Sequence, residues 1–524
     1  MSAEREFVHP YIPNSKPRVK REMLDAVDAE SVDEFFEDVP EKLRFRGQMD
    51  LPDPLLSECA LRRHVETILA QNETARERLS FLGAGCYPHH VPAVCDEINQ
   101  RGEFLTAYAG EPYDDHGRFQ ALFEYASMMG ELLNMDVVNV PTYDGFQAVA
   151  TSLRMACRLT GRREVLLAGT VSADMLSKVR DYCRPHIDVR LLDYDPATGQ
   201  MNLGDPSSRA RGRAQGRAQG RAQGRAQGRA QGRAQGRAQG RPQGRAQGRP
   251  QGSPLRISDR TAAVYFENPA YLGFIETQGA QIAEMAHAHG ALCVVGADPI
   301  SLGVLTPPAD YGAAGSGADI VCGDIQSLGM HMQFGGGHAG YIATRDEAAY
   351  VMEYPSRLFG IAPTRVPGEY GFGDVAYERT SFAIREEGNE WVGTAAALWG
   401  ITAGVYLALM GPQGMREIGE SIMARSRYAA LALDALPGVK APLFAAPHFR
   451  EFVVNFDDTG QTVAEINDGL RARGIFGGKD LSGEFPELGQ SALYCVTEIH
   501  TQDDIDRLAH TMADVIQASG EVIA

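Results

Sequence analysis

A strand that leads into an aspartate, followed by a second strand and a glycine-rich loop, limits the possible folds of this chain more than any other feature. Ala291–Gly296 is an apolar run that continues into Ala297-Asp298-Pro299, and Ala318–Cys322 is a second apolar run. The glycine-rich loop Phe334–Gly337 follows it. Short apolar runs alternate with helical patterns throughout, which indicates a largely parallel sheet covered by helices on both faces. The chain is therefore predicted to be an α/β protein.

This order of elements resembles the large domain of pyridoxal-phosphate (PLP) enzymes of the aminotransferase type. In those enzymes the aspartate pairs with the pyridinium nitrogen, and a lysine after the next strand forms the Schiff base. This chain has Gln326-Ser327-Leu328 at that position. None of its six lysines lies between residues 179 and 439, and no other side chain supplies the amine that a Schiff base requires. We therefore expect such a fold without its catalytic lysine and with no lysine at the site.

Three parts are predicted along the chain. Residues 1–60 form a proline-punctuated N-terminal arm, residues 61–380 a large α/β domain, and residues 381–524 connecting helices with a smaller C-terminal α/β domain. Trp391–Gly411 is long and uncharged enough to cross a membrane, but its small residues favour a buried helix. Glu347–Thr380 is rich in glycine and proline and is predicted to be irregular.

A repeat interrupts the large domain. Arg209–Gly252 consists of Arg-Ala-Arg-Gly followed by ten Arg-Ala/Pro-Gln-Gly tetrads, and we interpret it as a disordered surface insertion. Its arginines favour phosphate-rich partners, whereas the absence of interleaved aromatic residues favours a neutral repeat expansion. Twelve of the 50 basic residues lie in this repeat, against 68 acidic residues in the whole chain. The rest of the chain is therefore strongly acidic, which disfavours nucleic acid as a partner.

The cysteines indicate the compartment. There are eight, with no Cys-x-x-Cys pair and several in apolar runs, so we expect reduced, buried thiols in a cytoplasmic protein. The N-terminal residues show no apolar signal core. Cys86 and Cys95 are interpreted as buried and inert rather than redox-sensitive.

Nine short stretches between residue 11 and about residue 345 carry a second, more specific resemblance. They are Tyr11–Asn14, Arg21–Leu24, Phe81–Val94, Thr106–Tyr108, Gln120–Glu124, Tyr143–Gly145, Asp298–Gly303, Gln326–Gly329 and Phe334–Gly336. Together they resemble the P-protein alpha subunits of the glycine cleavage system, which form subunit 1 of the split glycine dehydrogenase (decarboxylating) family. The stretches 109–115 and 385–391 depart from the family pattern.

The resemblance implies a PLP-dependent transferase fold of type I, with a mostly parallel seven-stranded sheet. It implies that the partner, subunit 2, binds PLP, and that the two subunits form an α2β2 assembly. The assembly would decarboxylate glycine and pass the aminomethyl group to the lipoyl arm of the H-protein. A divergent paralogue that acts as a non-catalytic partner or scaffold is the alternative, while the lysine inventory argues against a stand-alone PLP enzyme.

The resemblance also implies that the loop 81–90 faces the active site of the partner, and a plain packed loop is the alternative interpretation. The candidate contributors to that site are Tyr87, His89, His90 and Tyr108. No metal site is predicted, because adjacent histidines rarely bind one metal and the loop offers no further ligands at suitable spacing.

A second set of residues occupies the positions of a degenerate cofactor site, in which no cofactor is expected. These residues are Tyr143, Asp144, Asp298, Gln326 and Ser327. Asp144 is more simply interpreted as a helix N-cap. Asp298, without a lysine nearby in the sequence, is interpreted as a structural carboxylate.

Overall fold

The computed structural model describes residues 8–9, 11–45, 47, 49–104, 116–204, 254–313, 315–392 and 396–523. The chain divides into two compact units, Met1–Glu73 and Thr74–Ala524. The first unit contains helices α1 (Pro17–Asp25) and α2 (Glu58–Leu69). Among its described residues, the buried apolar side chains are Leu24 and Ala29. The boundaries predicted at residues 60 and 380 stay predictions.

The second unit holds the helices and strands that build the α/β body. Its helices are α3 (Ala93–Asn99), α4 (His116–Leu133), α5 (Gly145–Thr160), α6 (Ala173–Cys183), α7 (Gly279–His287), α8 (Ala348–Val351), α9 (Ala397–Asp434), α10 (Val463–Arg471) and α11 (Gln502–Ile523). Its strands are β1 (Leu79–Ser80), β2 (Val137–Val138), β3 (Glu164–Ala168), β4 (Asp188–Leu192), β5 (Thr261–Asn268), β6 (Leu292–Ala297), β7 (Ile320–Asp324), β8 (Gly340–Thr344), β9 (Phe359–Pro363), β10 (Tyr370–Asp374), β11 (Glu451–Asn455), β12 (Ile475–Phe476), β13 (Lys479–Asp480) and β14 (Ser491–Cys495).

Seven strands form the central sheet, in the order β2-β8-β7-β6-β5-β3-β4. The neighbouring strands β7, β6, β5, β3 and β4 pair in parallel. Strand β8 runs antiparallel to both β7 and β2. All five residues of β3 are buried, as are the last five of β6. A strand covered on both faces needs apolar side chains in both directions, which explains the continuous apolar runs. The predicted mostly parallel seven-stranded sheet is confirmed.

A smaller C-terminal layer is built on the antiparallel sheet β11-β14-β13, with α10 and α11 beside it. Strand β1 joins this layer by pairing in parallel with β12, so that Leu79 lies opposite Ile475. The next residue, Phe81, continues the connection, because its N–H donates to the Phe476 carbonyl and its carbonyl accepts from the Cys495 N–H, both at 2.9 Å. The loop 81–90 therefore starts from the C-terminal layer.

Helix α9 corrects one boundary predicted from the sequence. Trp391 and Val392 are not helical, and the helix begins at Ala397. Gly411, at φ 58° and ψ −178°, interrupts it just before Pro412. A Cβ on Gly404 would lie 3.3 Å from Tyr125 of α4, so the small residues of this segment allow α4 to pack closely. Among the described residues, no helix combines the length and the apolar character needed to span a membrane.

The prediction that Glu347–Thr380 is irregular is wrong. The segment contains α8 and an antiparallel hairpin of β9 and β10, with Phe359 opposite Asp374 and Pro363 opposite Tyr370. No residue of β9 or β10 is buried, and both strands contain glycine. The sequence therefore lacks the alternation of apolar and polar residues that marks a half-buried strand.

The arginine-rich repeat Arg209–Gly252 lies outside the described residues. The segments before and after the repeat lie side by side. The Leu255 N–H donates to the Asn202 carbonyl oxygen at 2.8 Å.

Candidate functional site

A cavity of about 520 Å³ lies at the carboxyl ends of β5, β6 and β7. Glu267, Asp298 and Asp324 line it, each at or just beyond the end of one of these strands. Side chains at the carboxyl ends of parallel strands meet at one edge of the sheet, where open α/β sheets bind ligands. The five predicted degenerate-site residues, Tyr143, Asp144, Asp298, Gln326 and Ser327, all line this cavity.

Gln326 and Ser327 stand at the position where the resemblance to PLP enzymes leads one to expect a lysine. The Gln326 side chain accepts from the Tyr87 N–H at 3.0 Å and donates to the Tyr87 carbonyl at 3.2 Å and to the Met330 carbonyl at 2.9 Å. The Ser327 hydroxyl donates to Asp298 Oδ1 at 3.4 Å. These side chains therefore fix the loop 81–90 and the Asp298 carboxylate.

Asp298 has a cationic partner from the C-terminal layer. Its Oδ2 lies 3.1 Å from a terminal nitrogen of Arg450, and the two side chains are 12% and 6% exposed. The Arg450 guanidinium also contacts His89 Nε2 at 3.0 Å and lies 3.3 Å from the centre of the Tyr87 ring. Burial acts to lower the pKa of Arg450, but the nearby Asp298 carboxylate raises it. The interpretation of Asp298 as a structural carboxylate stays a prediction, and this ion pair supports it.

Tyr87 also belongs to this buried cluster. Its hydroxyl donates to Glu451 Oε2 at 3.0 Å, and the other oxygen of Glu451 accepts from the Ala84 N–H at 2.6 Å. Burial raises the pKa of Tyr87, and the Glu451 carboxylate raises it further. Burial likewise raises the pKa of Glu451, although Arg450 opposes this.

The N-terminus of α5, a helix end of the kind that can bind a phosphate group, is bonded to two carboxylates. Asp144 Oδ1 accepts from the Gln147 N–H at 2.7 Å, which confirms the predicted N-cap. Asp324 Oδ2 accepts from the Gly145 N–H at 3.0 Å. Helix N-termini favour anions because their N–H groups are free, and here these carboxylates take the N–H groups that a phosphate would use. Tyr143 stands at the rim, 54% exposed.

One expectation about lysine needs correction, because Lys178 of α6 lines the cavity. Its Nζ lies 3.6 Å from Asp144 Oδ2 and 4.1 Å from the centre of the Phe146 ring. No local sequence pattern indicates this position, since it depends on how α5 and α6 pack. Lys178 lies on a different element from Gln326 and Ser327, and its charge is matched by Asp144.

The two predicted histidines lie beside the cavity rather than in its lining. His89 Nδ1 is 2.8 Å from Glu498 Oε2, and its side chain is 1% exposed. His90 is exposed, and its N–H donates to Glu498 Oε1 at 2.7 Å. Burial acts to raise the pKa of Glu498, but the bond from His89 and these other contacts lower it. Tyr108 lies outside the described residues.

Across the part of the chain that the structure describes, no three His, Cys, Asp or Glu side chains form a potential metal site. Carboxylates predominate among the charged groups of the cavity. They are Asp144, Asp174, Glu267, Asp298, Asp324 and Glu451. The opposing charges come from Lys178, Arg450 and His338. These residues do not fit PLP, because they place no lysine at 326–327 and carboxylates at the phosphate position.

Known proteins match the chain over most of its length. The family model of the glycine cleavage system P-protein matches residues 9–203 and 243–512. A protein of Staphylothermus marinus named probable glycine dehydrogenase (decarboxylating) subunit 1 is 34% identical over 517 residues, 97% of this chain and 98% of its own. A protein of the same name from Geobacillus kaustophilus is 32% identical and covers 97% of this chain and 99% of its own.

A solved structure, that of glycine decarboxylase (P-protein) of the glycine cleavage system in an inhibitor-bound form, is also similar. It is 30% identical, has a TM-score of 0.74, and covers 97% of this chain and 100% of its own. The fold is that of the type I PLP-dependent enzymes, as expected. The chain belongs to the glycine cleavage system P-protein family.

Proposed function

We propose that this chain is the subunit of glycine dehydrogenase (decarboxylating) that does not bind PLP. With subunit 2, which would hold the cofactor, it decarboxylates glycine and transfers the aminomethyl group to the lipoyl arm of the H-protein. The names of the relatives support this, since they are termed subunit 1. We further propose an α2β2 assembly. The eight free thiols support a cytoplasmic location.

The residues of the cavity are the main support for the proposal that the partner, and not this chain, binds PLP. Glutamine and serine stand at the lysine position and hold the loop 81–90 and Asp298. Arg450 pairs with the carboxylate that would otherwise face the pyridinium nitrogen. Asp144 and Asp324 accept the N–H groups that would otherwise bind the phosphate. Each of the three contacts that PLP requires is thus replaced by a contact within the protein.

Exposed apolar side chains support a permanent partner. In the first unit, Phe35, Phe36 and Leu56 are 58%, 51% and 91% exposed. On the hairpin of the second unit, Ile361 is 48% and Tyr370 65% exposed. Contiguous exposed apolar patches mark interaction surfaces, and we propose that these side chains belong to two such patches. We assign both surfaces to contacts with subunit 2.

Reconstitution tests the proposal. The chain, subunit 2 and their mixture are each assayed for glycine–bicarbonate exchange with lipoylated H-protein, and PLP is quantified in each sample. We expect exchange from the mixture only, with one PLP for each pair of subunits. Exchange by this chain alone, two PLP for each pair, or no complex in sedimentation would each contradict the proposal.

The loop 81–90 remains our proposed contact with the active site of the partner. Tyr87 and His89 are bonded within the chain, so their substitution would also disturb this subunit. His90 is exposed and is the better probe. His90→Ala should lower exchange by the complex without releasing PLP, whereas the control His186→Ala, at an exposed histidine after α6, should not. Equal activity of the two variants would remove the loop from the site.

A further inference from the structure

The loop 81–90 is bonded to the C-terminal layer at its end as well as at its start. Glu498, which follows β14, binds two consecutive residues there with its two carboxylate oxygens. Its Oε1 accepts from the His90 N–H at 2.7 Å, and its Oε2 lies 2.8 Å from His89 Nδ1. The backbone of Glu498 is itself held, because the Arg425 guanidinium donates to its carbonyl oxygen. This carboxylate is therefore a fixed support for the end of the loop.

The His89 imidazole lies between two charged groups. On the side away from Glu498, its Nε2 is 3.0 Å from a terminal nitrogen of Arg450, and the side chain is only 1% exposed. A guanidinium has N–H donors and no acceptor, so Nε2 accepts and carries no proton. The proton is then on Nδ1, where the ionised carboxylate of Glu498 can only accept. His89 is thus held as the neutral Nδ1–H tautomer, selected by its two partners.

The same line of contacts continues into the cavity. The other terminal nitrogen of Arg450 lies 3.1 Å from Asp298 Oδ2, and Asp298 Oδ1 accepts from the Ser327 hydroxyl at 3.4 Å. The charges alternate along this line, from the Glu498 carboxylate to the Arg450 guanidinium and then to the Asp298 carboxylate. A buried carboxylate at the end of β6 is therefore joined, through Arg450 and His89, to the residue that fixes the end of the loop.

Within the loop, His90 combines an exposed side chain with a fixed backbone N–H. Tyr87 is bonded to Glu451 and His89 to Glu498, so both side chains are turned into the chain. Cys86, interpreted from the sequence as a buried thiol, is half-buried instead. The position of the His90 side chain thus depends on a carboxylate that binds only the backbone of this residue.

We propose that Glu498 is a positioning residue, which acts through His89 and the His90 N–H to present the His90 side chain to the active site of the partner. This inference rests on the proposed function and deepens it. A glutamine at position 498 has a single acceptor oxygen, so it would lose one of the two contacts with the loop. To keep both contacts, His89 would have to take the other tautomer, which would set its Nε2–H against the Arg450 guanidinium.

The first test locates the proton of His89 and requires no activity. The chain is labelled with ¹⁵N-histidine, and solid-state ¹⁵N NMR, which distinguishes protonated from unprotonated imidazole nitrogens, is recorded on the chain alone and in complex with subunit 2. The signals of His89 are identified by their absence in His89→Asn. We expect the neutral Nδ1–H form at mildly alkaline pH. An unprotonated Nδ1 or a protonated Nε2 would overturn the proposal.

The second test asks whether Glu498 acts through the loop. In the complex, Glu498→Gln should lower kcat of glycine–bicarbonate exchange by about tenfold or more, with the PLP content of subunit 2 unchanged, because small displacements at an active site are costly. Added to His90→Ala, it should cause little further loss, since the side chain that it positions is already gone.

A buried carboxylate elsewhere in the chain provides the matched control. Glu276 accepts from the Met201 and Gln278 N–H groups at 2.8 and 2.9 Å, and it is not among the residues that line the cavity. Glu276→Gln should leave kcat unchanged. Melting temperature and circular dichroism establish that each variant is folded. If Glu498→Gln does not fold, Glu498→Asp, which keeps both oxygens but withdraws them from the loop, takes its place in the same comparison.

The outcomes separate this inference from the proposed function. An active complex in which folded Glu498→Gln keeps its kcat, or in which its loss multiplies with that of His90→Ala, would overturn the role of Glu498 and leave the proposed function standing. No exchange by the unaltered complex would overturn the proposed function and, with it, this role. A loss confined to complexes that contain His90, together with the Nδ1–H tautomer, would support the inference.

Discussion

Replacing Arg450 by methionine would test how strongly the C-terminal layer holds the cavity. The guanidinium lies 3.1 Å from Asp298 Oδ2, and both side chains are nearly buried. At that distance two unit charges attract by about 5 kcal/mol for an effective dielectric constant of about 20. Much of this attraction is offset by the loss of hydration. Removal of one partner from a buried pair nevertheless costs about 3–5 kcal/mol, because the other charge stays buried without a partner.

We therefore expect Arg450→Met to lower the free energy of unfolding by about 3–5 kcal/mol. Adding Asp298→Asn should recover a large part of this loss, because the unpaired charge is then gone. The recovery stays incomplete, since the contact of the guanidinium with the Tyr87 ring, worth about 1–2 kcal/mol when desolvated, is lost in both variants.

Urea denaturation of the two single variants and the double variant, followed by circular dichroism, gives the coupling energy. Arg379→Met is the matched control, because its partner Asp346 and Arg379 itself are about half exposed. Exposed pairs contribute less than about 1 kcal/mol. If Arg450→Met costs no more than Arg379→Met, or if Asp298→Asn recovers nothing, the ion pair does not stabilise the closed cavity and the reasoning fails.

Four further predictions concern stability and cofactor binding. The Asp324 carboxylate raises the pKa of His338 from 6.5 to about 10, so the charged imidazole stabilises the folded chain fully below pH about 6.5 and ceases to do so as the pH rises through about 10. His338→Gln should therefore flatten the fall of Tm over that pH range. A fall as steep as in the unaltered chain would contradict this. Gly273 has φ 90°, and a Cβ there would lie 2.1 Å from a backbone carbonyl oxygen. Gly273→Ala should therefore lower the free energy of unfolding, measured with urea, by more than about 1 kcal/mol. The control Gly315→Ala, at a residue that also has positive φ but open space around it, should lower it clearly less, and equal losses would contradict this. Borohydride reduction of the chain in the presence of PLP should give no stoichiometric adduct. An adduct that Lys178→Met abolishes would contradict this and would show that Lys178 forms the Schiff base. Deletion of 209–252 should preserve the fold and change the free energy of unfolding by at most about 2 kcal/mol, since each halving of loop length changes the closure free energy by only about 0.6 kcal/mol. A larger loss of stability would mean that the repeat packs on the body.

Much of the fold could be predicted from local sequence patterns. The apolar runs Ala291–Gly296 and Ala318–Cys322 correspond to the strands β6 (Leu292–Ala297) and β7 (Ile320–Asp324), with bounds that differ by one or two residues. Continuous apolar runs report burial on both faces, which is a local property of each strand. The hairpin in Glu347–Thr380 was missed because neither of its strands is buried, so no apolar pattern records it.

Part of the site could also be predicted. Asp144, Asp298, Gln326 and Ser327 line one cavity, because the carboxyl ends of neighbouring parallel strands and the following helix N-terminus lie at one edge of the sheet. The N-cap role of Asp144 follows from its place before a helix, and it is confirmed. These residues needed only the order of the elements along the chain.

The amino-acid sequence by itself determined that no lysine stands at 326–327, since this is a matter of composition. Only the tertiary structure decided which groups meet in the cavity. Arg450 reaches Asp298 because the C-terminal layer closes over the strand ends, and Lys178 reaches the rim because α6 packs on α5. Tyr87 meets Glu451 through the pairing of β1 with the C-terminal layer. Contacts between residues so distant along the chain leave no periodic signal in sequence, because they depend on packing between elements rather than on the pattern within any one of them.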